Sequence, residues 1–335
     1  MIFVTGGTGL VGSHLLLHLL NKGMGVRALY REPESLQQVY NTWEYYGHSP
    51  EELKKDLQWV KGDLMDIPSL EMALQGIETV YHCAALVSFD PGDYLALRRA
   101  NITGTANLVN VCLAMGVRQL CYVSSIATIG SPLDTRMANE EDELLTPVNN
   151  VYALTKHGAE MEVWRGSQEG LAVVIVNPGL IIGPGSWDRS SGRLFGIAGK
   201  GSAFYPPGGT GVIGVNDVAE IMIAMMQRKE RNQKYILVAE NMSYKQLLEK
   251  VSTALGHRPP RKKIPLWVLK IAWRLDWFRA KFTGAERKLT RDRVASLDKQ
   301  VLYDNTKITA LLNYTYESLD SIITFSAEKY LKDRK

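Results

Sequence analysis

Within its first dozen residues the chain carries four glycines, in Thr5-Gly6-Gly7-Thr8-Gly9-Leu10-Val11-Gly12. The short apolar run Ile2-Phe3-Val4 precedes them, and from Leu10 to Leu20 apolar residues recur at helical spacing. A strand that breaks into glycines and resumes as a helix allows few arrangements. The backbone must turn sharply, and the first helical N–H groups are left without intrahelical partners. Such a turn suits a diphosphate, whose charge a helix N-terminus favours and which glycine lets approach the backbone. Gly6, Gly9 and Gly12 fall three apart, yet Gly7-x-Gly9-x-x-Gly12 also satisfies the shorter dinucleotide fingerprint, so spacing does not choose between them. The strand-turn-helix context argues against a glycine turn without a ligand.

The same alternation continues downstream. Asn21-Lys22-Gly23 ends the first helix, and Val26 to Tyr30 reads as a second strand. Leu57–Val60, Thr79–His82, Gln119–Ser124 and Ala172–Val176 read as buried strands, separated by helical stretches such as Ala100–Met115 and Val151–Gln168. Strands alternating with helices predict a parallel sheet covered on both faces, with ligands at the carboxyl ends of the strands. After Asn177-Pro178-Gly179, Gly, Pro and Ser become dense through Gly211, a texture of loops. Asp217–Arg228 then reads as a helix and Lys234–Val238 as one more strand. The expected architecture is α/β: a Rossmann-type doubly wound parallel sheet with a smaller, mostly helical C-terminal substrate lobe. Residues 1–176 would form the NAD(P)-binding domain, with 234–238 returning to its sheet, and 177–233 with 239–335 the lobe. There is no internal repeat.

At 335 residues and 45% hydrophobic composition the chain can bury a substantial core. Cys83, Cys112 and Cys121 are unevenly spaced and fit neither a disulfide framework nor zinc, so they read as apolar core residues of a reducing compartment. No uncharged apolar run approaches the roughly 20 residues that span a bilayer, and a strand starting at the second residue predicts no leader. A cytoplasmic location is expected. Net charge is +4, but Arg258–Arg293 holds twelve Lys/Arg against three Asp/Glu, which leaves the rest slightly acidic. That basic patch suits anionic substrates or lipid headgroups; a solvated face without a partner is the plainer reading.

Tyr152 and Lys156 lie four apart in Asn150-Val151-Tyr152-Ala153-Leu154-Thr155-Lys156. Tyr-x-x-x-Lys arises by chance in many helices, so the pair gains meaning only beside the glycine turn. A free tyrosine has a pKa near 10, and a cation one helical turn away on the same face should favour its phenolate. Cofactor choice turns on the end of the second strand, where an NAD site usually has Asp or Glu. Here Tyr30-Arg31 stands there, with Arg27 inside the strand, which favours the 2′-phosphate of NADP; Glu32 weakens the inference and NAD stays open.

An ordered series of motifs carries a resemblance. It runs through the glycine turn, Asp63-Leu64, His82-Cys83-Ala84-Ala85, Asn101-Ile102-Thr103-Gly104-Thr105-Ala106-Asn107, Val123-Ser124-Ser125, Tyr152-Ala153-Leu154-Thr155-Lys156 and Asn177-Pro178-Gly179. The chain resembles the extended short-chain dehydrogenase/reductases (the NAD-dependent epimerase/dehydratase family) over at least its first 185 residues. Val26-Arg27-Ala28-Leu29-Tyr30-Arg31, Gly183-Pro184 and Gly211-Val212-Ile213-Gly214-Val215-Asn216-Asp217-Val218-Ala219 are similar to the dihydroflavonol reductase and 3β-hydroxysteroid dehydrogenase branch. The resemblance implies Ser125, Tyr152 and Lys156 as catalytic residues, with no metal. It implies a cofactor site of Gly6, Thr8, Gly9, Leu10, Val11, Gly12, Arg31, Asp63, Leu64, Ala84, Ala85, Asn101, Ser124, Tyr152, Lys156, Pro178 and Gly179. Ser125 is preferred to Ser124 by its family spacing to Gly130, and Lys156 would also hold the nicotinamide ribose.

The activity so implied is hydride transfer between NADPH and a ketone or secondary alcohol of a moderately apolar small molecule. A sugar-nucleotide epimerase or dehydratase and a non-catalytic dinucleotide sensor are the alternatives. No nucleic acid partner is expected, and a homodimer is left open. His82 reads as packed and hydrogen-bonded, His157 as exposed, Asn101 as a support of the site, and Glu140-Glu141-Asp142-Glu143 as a solvated loop. Arg189 and Arg193 suit an anionic substrate and a surface role equally. Leu266–Phe282 interleaves Trp267, Trp273, Trp277, Phe278 and Phe282 with Lys270, Arg274, Arg279 and Lys281. Packing against the lobe or lining an apolar pocket is its first reading; the alternative is peripheral contact of 266–282 with an anionic membrane.

Overall fold

A computed structural model of the chain describes residues 1–132, 136–144, 150–283, 287 and 289–334. In chain order the strands are β1 (Ile2–Thr5), β2 (Val26–Tyr30), β3 (Leu57–Lys61), β4 (Thr79–His82), β5 (Gln119–Val123) and β6 (Ala172–Pro178). They continue with β7 (Leu180–Ile182), β8 (Phe204–Tyr205), β9 (Gly209–Gly214), β10 (Gln233–Leu237), β11 (Glu240–Ser243) and β12 (Lys262–Lys263). Seven of them form one sheet in the order β10-β6-β5-β4-β1-β2-β3, every pairing parallel. The expected doubly wound sheet is what the chain forms. Strand order reverses between β1 and β4, so the ends of those two strands flank the crevice where such sheets hold ligands.

Burial explains the strands. Val173, Val174, Ile175 and Val176 are all fully buried, as a strand covered on both faces requires. One face packs against the Leu10–Asn21 and Val215–Gln227 helices through Leu15, Leu16, Leu19, Val218 and Met222. The other packs against Gly104–Ala114 and Val151–Gln168 through Leu108, Val109, Ala159 and Val163. Gly166 lets those last two elements approach, and Gly158 lets the Val151–Gln168 helix approach the turn Arg98–Thr103 just before Gly104: a Cβ would come within 2.6 Å of Val109 at the first and of Ile102 at the second. Cys83, Cys112 and Cys121 are free. Burial pushes the thiols of Cys83 and Cys112 up to about 12, so they stay protonated core groups.

The stretch expected to be loop after Gly179 is more ordered than its composition suggests. β7, β9 and β11 form a three-stranded sheet, and β8 pairs with β12. Glycine is the physical reason: a Cβ on Gly179 would lie 2.4 Å from the Gly211 carbonyl oxygen, so these strands close only without side chains there. Against them pack Tyr244–Ala254, opened by a Ser243/Gln246 capping box, and Leu319–Asp333. Glu140 also departs from expectation. It is buried, and its Oε1 accepts the Ile236 N–H of β10 at 2.8 Å, while Asp142 forms an ion pair with Arg136. The acidic run is therefore half structural, because an unpaired strand-edge N–H captures one of its carboxylates.

Candidate active site

The glycine turn sits at the carboxyl end of β1. Gly6 has φ +68°, and a Cβ there would lie 2.5 Å from the Ala84 nitrogen at the end of β4. Gly9 donates its N–H to the Gly6 oxygen at 2.9 Å, and a Cβ on Gly12 would lie 2.1 Å from that same oxygen. Gly9 is the N-cap of Leu10–Asn21, and no side chain caps that helix. The half-buried Thr8, Leu10 and Val11 and the exposed Gly9 surround it. An uncapped helix start beside a glycine-rich turn fits a dinucleotide pyrophosphate.

At the end of β2, exposed Arg31 reaches Asp63 at 3.8 Å, while Asp63 Oδ1 accepts the Met65 N–H at 2.8 Å. Arg27 points elsewhere: it donates to Gln58 and to the Ala73 and Gln75 carbonyls. Leu64 is half-buried against Gly104 and its carbonyl accepts from Asn107. At the end of β4, buried His82 bonds Thr5 at 2.7 Å and Thr105 at 2.9 Å, so it is packed and hydrogen-bonded as expected. His157 is half-buried, not exposed. Asn101 holds both the N–H and the carbonyl of Leu86 and donates to Thr155 at 3.3 Å, tying the chain after Ala84-Ala85 to the helix of Tyr152.

Local structure sets the Tyr152 and Lys156 geometry. Asn150 is the N-cap of Val151–Gln168, its side-chain oxygen accepting the N–H groups of Tyr152 at 3.0 Å and Ala153 at 3.3 Å. The helix then presents Tyr152, Lys156 and Glu160 along one face. The Phe89 ring lies 5.4 Å from that of Tyr152. Burial raises the Tyr152 pKa, and the nearby Ser125 hydroxyl opposes this through a hydrogen bond that favours phenolate. Ser125 also caps its own short turn, accepting the Ala127 N–H at 3.1 Å.

Lys156 behaves differently from the simple electrostatic expectation. Its Nζ donates to the Val123 carbonyl at 2.7 Å and lies 4.2 Å over the Tyr122 ring. Burial lowers its pKa to about 7, against the attraction of Glu160. The ammonium is thus engaged with β5, and in this state the phenol of Tyr152 is held in its protonated form by burial.

Glu160 was missing from the sequence reading. It is buried, and its Oε2 accepts from Ser124 at 2.7 Å, Thr128 at 2.9 Å and Asn177 at 3.2 Å. Ser124 therefore turns its hydroxyl into this cluster. Asn177 precedes buried Pro178 and Gly179, and its Oδ1 has no partner among the described residues. The signal lay in the spacing: Tyr152, Lys156 and Glu160 fall four apart, on one helix face. Arg189 is exposed, and Arg193 donates to the Asp188 carbonyl at 2.7 Å. Among the described residues, no group of three or more His, Cys, Asp or Glu could hold a metal ion.

The fold, the turn and the Tyr152–Lys156 helix define a dinucleotide-binding oxidoreductase scaffold, and the chain belongs to the NAD-dependent epimerase/dehydratase family, whose profile matches residues 2–239. A putative dihydroflavonol 4-reductase of Synechocystis is 32% identical over an alignment of 350 residues, covering 98% of this chain and 96% of that protein. Sterol demethylase protein B of Methylococcus capsulatus is 31% identical over 268 residues, 78% of this chain and 76% of its own length. Among solved structures, gox2253 superimposes with a TM-score of 0.81 at 28% identity, covering 99% of this chain and 98% of that one. The resemblance to the dihydroflavonol reductase branch holds. UDP-glucose 4-epimerase of Thermotoga maritima shares the fold at 19% identity, with a TM-score of 0.76 and coverage of 100% and 99%.

Proposed function

We propose that the protein is an NADP-dependent reductase or dehydrogenase acting between a ketone and the corresponding secondary alcohol. The observation that carries the reading is the Asn150-capped helix start, which sets the Tyr152 phenol beside Ser125 with Lys156 one turn on. Bound NADPH supplies hydride to the carbonyl carbon. Ser125 holds the carbonyl oxygen, and Tyr152 gives its phenolic proton to that oxygen as the C=O π bond opens. A phenol whose pKa burial has raised is charged with its proton at neutral pH, as reduction requires. The Tyr152 phenolate then recovers a proton from solvent, and oxidation runs the same steps backward. Lys156, released from the Val123 carbonyl, would hold the nicotinamide ribose.

Arg31 supports NADP, because an exposed guanidinium at the end of β2 suits a 2′-phosphate. The putative dihydroflavonol 4-reductase among the relatives supports the reaction class. Exposed Leu86 and Val87, and Phe89 against Tyr152, support a moderately apolar substrate. Tyr152→Phe tests the reading: turnover with a ketone panel should fall by about 10²- to 10⁴-fold while NADPH binding persists. Substantial retained activity excludes Tyr152 as the acid. A clear preference for NADH excludes the cofactor assignment. Tightly retained oxidised cofactor without net consumption of NADPH identifies an epimerase or dehydratase, and binding without any turnover a sensor.

A further inference from the structure

The helix Leu266–Thr283 buries a single residue, Leu269, among its 18. It is not the lobe-packing element its aromatic content suggests. Trp267, Ile271, Leu275, Phe278 and Phe282 recur at spacings of three and four, so they form one stripe along the helix. That stripe faces solvent: Trp267 is 64% exposed, Leu275 63% and Phe282 81%. At 100° per residue, Arg274, Lys281 and Lys270 flank the stripe on one side and Arg279, paired with Asp276, on the other. Leu269 lies opposite. Lys262 and Lys263, both exposed, come just before.

We propose that this helix docks the protein on an anionic lipid surface, with the stripe inserted among acyl chains and the flanking cations at the headgroups. Charge decides the occupant. Arg258–Arg293 concentrates an excess of nine positive charges in a chain whose remainder is acidic. A second copy packing the same face about a two-fold axis would bring those charges against themselves, whereas an anionic bilayer neutralises them. No helix among the described residues is long and apolar enough to cross a membrane, so contact is along the surface. The opposite side of the helix is tied to the candidate active site. Asp276 accepts the Leu289 N–H at 2.9 Å, and Thr290 donates at 3.2 Å to the carbonyl of Phe89, whose ring packs on Tyr152. The inference does not depend on the proposed chemistry.

Co-sedimentation of the full chain with vesicles tests it. Binding is expected with phosphatidylcholine vesicles containing phosphatidylglycerol, weakened by salt and weak with phosphatidylcholine alone. Phe278→Ser with Phe282→Ser should lower partition by roughly tenfold or more, and removal of Lys270 or Arg274 by about fivefold each. These side chains are exposed, so melting temperature and NADPH binding should stay as in the parent. No sedimentation of the parent with anionic vesicles overturns the proposal, as does unchanged binding of the aromatic double variant. A parent dimer that the same variant converts to monomer, without vesicle binding, assigns the face to a second copy instead.

Discussion

The Glu160 carboxylate accepts the Ser124 hydroxyl at 2.7 Å, and Ser124 immediately precedes Ser125. The same oxygen holds Thr128 and Asn177, so one buried carboxylate joins the ends of β5 and β6 beneath the Tyr152 helix. Its charge also favours the Lys156 ammonium, against burial. Glu160→Gln should therefore move the Lys156 pKa further down. If the ammonium is the working form, the alkaline limb of the kcat/KM profile shifts to lower pH and activity is partly restored by acidifying the assay. A profile of unchanged shape and reduced height would assign Glu160 to structure alone. Glu160→Ala should cost on the order of 3 kcal/mol in urea unfolding, because it takes the charged acceptor from buried Ser124 and leaves Thr128 and Asn177 with only their bonds to the Ser125 carbonyl and to each other.

Lys156 itself links stability to pH. Its folded pKa of about 7 lies below the ordinary 10.5, so between those values the native chain binds fewer protons than the unfolded one. Stability from this residue then rises with pH across that window and is lowest below pH 7. The unfolding free energy of the parent minus that of Lys156→Met should increase from pH 7 toward pH 10, read by denaturant titration. A flat difference would mean that the buried ammonium carries no desolvation cost.

Two histidines act at the acid end. Burial lowers His14 to about 4 and His82 to about 3, so both are neutral in the native chain where unfolded histidine is protonated. Stability is intact above the unfolded pKa near 6.5 and is lost as pH falls toward the folded values. Together they should contribute a slope of up to about 2.7 kcal/mol per pH unit near pH 5. His82→Gln, which can still bond Thr5 and Thr105, should remove about half of it. Chemical unfolding at several acidic pH values measures the slope.

Glycines of the same type should separate by site. Gly12→Ala sets a Cβ 2.1 Å from the Gly6 oxygen, so it should weaken dinucleotide binding and lower stability by roughly 1–3 kcal/mol. Gly23→Ala has open space around it and only its φ of +69° to contend with, so it should cost about 1 kcal/mol and leave binding intact. Fluorescence titration with NADPH, beside thermal melts, distinguishes the two.

Local rules explain which features were legible in the sequence. The glycine turn, the continuous apolar strands and the helix of Tyr152 follow from backbone sterics and periodicity, and the sheet forms as expected. Glu160 was illegible because a mid-helix glutamate usually faces water; only the three donors brought by β5 and β6 make it a core group. Glu140 escaped for the same reason, since its partner, the Ile236 N–H, lies 96 residues away. The Glu34–Tyr45 helix gives only a faint periodic signal because its buried face reduces to Val39, Thr42 and Trp43, with the Trp43 Nε1 donating to the Ser13 carbonyl at 3.0 Å. Leu266–Thr283 inverted the usual rule: its apolar stripe is real, but nothing in the stripe says which way it points.

β6 and β10 run side by side, Pro178 opposite Leu237, and the Gly179 N–H bonds the Leu237 oxygen at 2.9 Å. Between them the chain leaves the carboxyl end of β6 at Gly179, crosses over through the Val215–Gln227 helix packed on the sheet, and re-enters at the amino end of β10 after Asn232, whose N–H bonds the Val173 oxygen. That crossover helix and the glycine-closed strands before it belong to the core, so changes of length at little cost are confined to exposed stretches such as residues 200–204. Tyr152, Lys156 and the glycine turn stand outside that excursion. A chain built this way can vary the exposed part of the excursion while the Tyr152–Lys156 helix start and the glycine turn stay where they are.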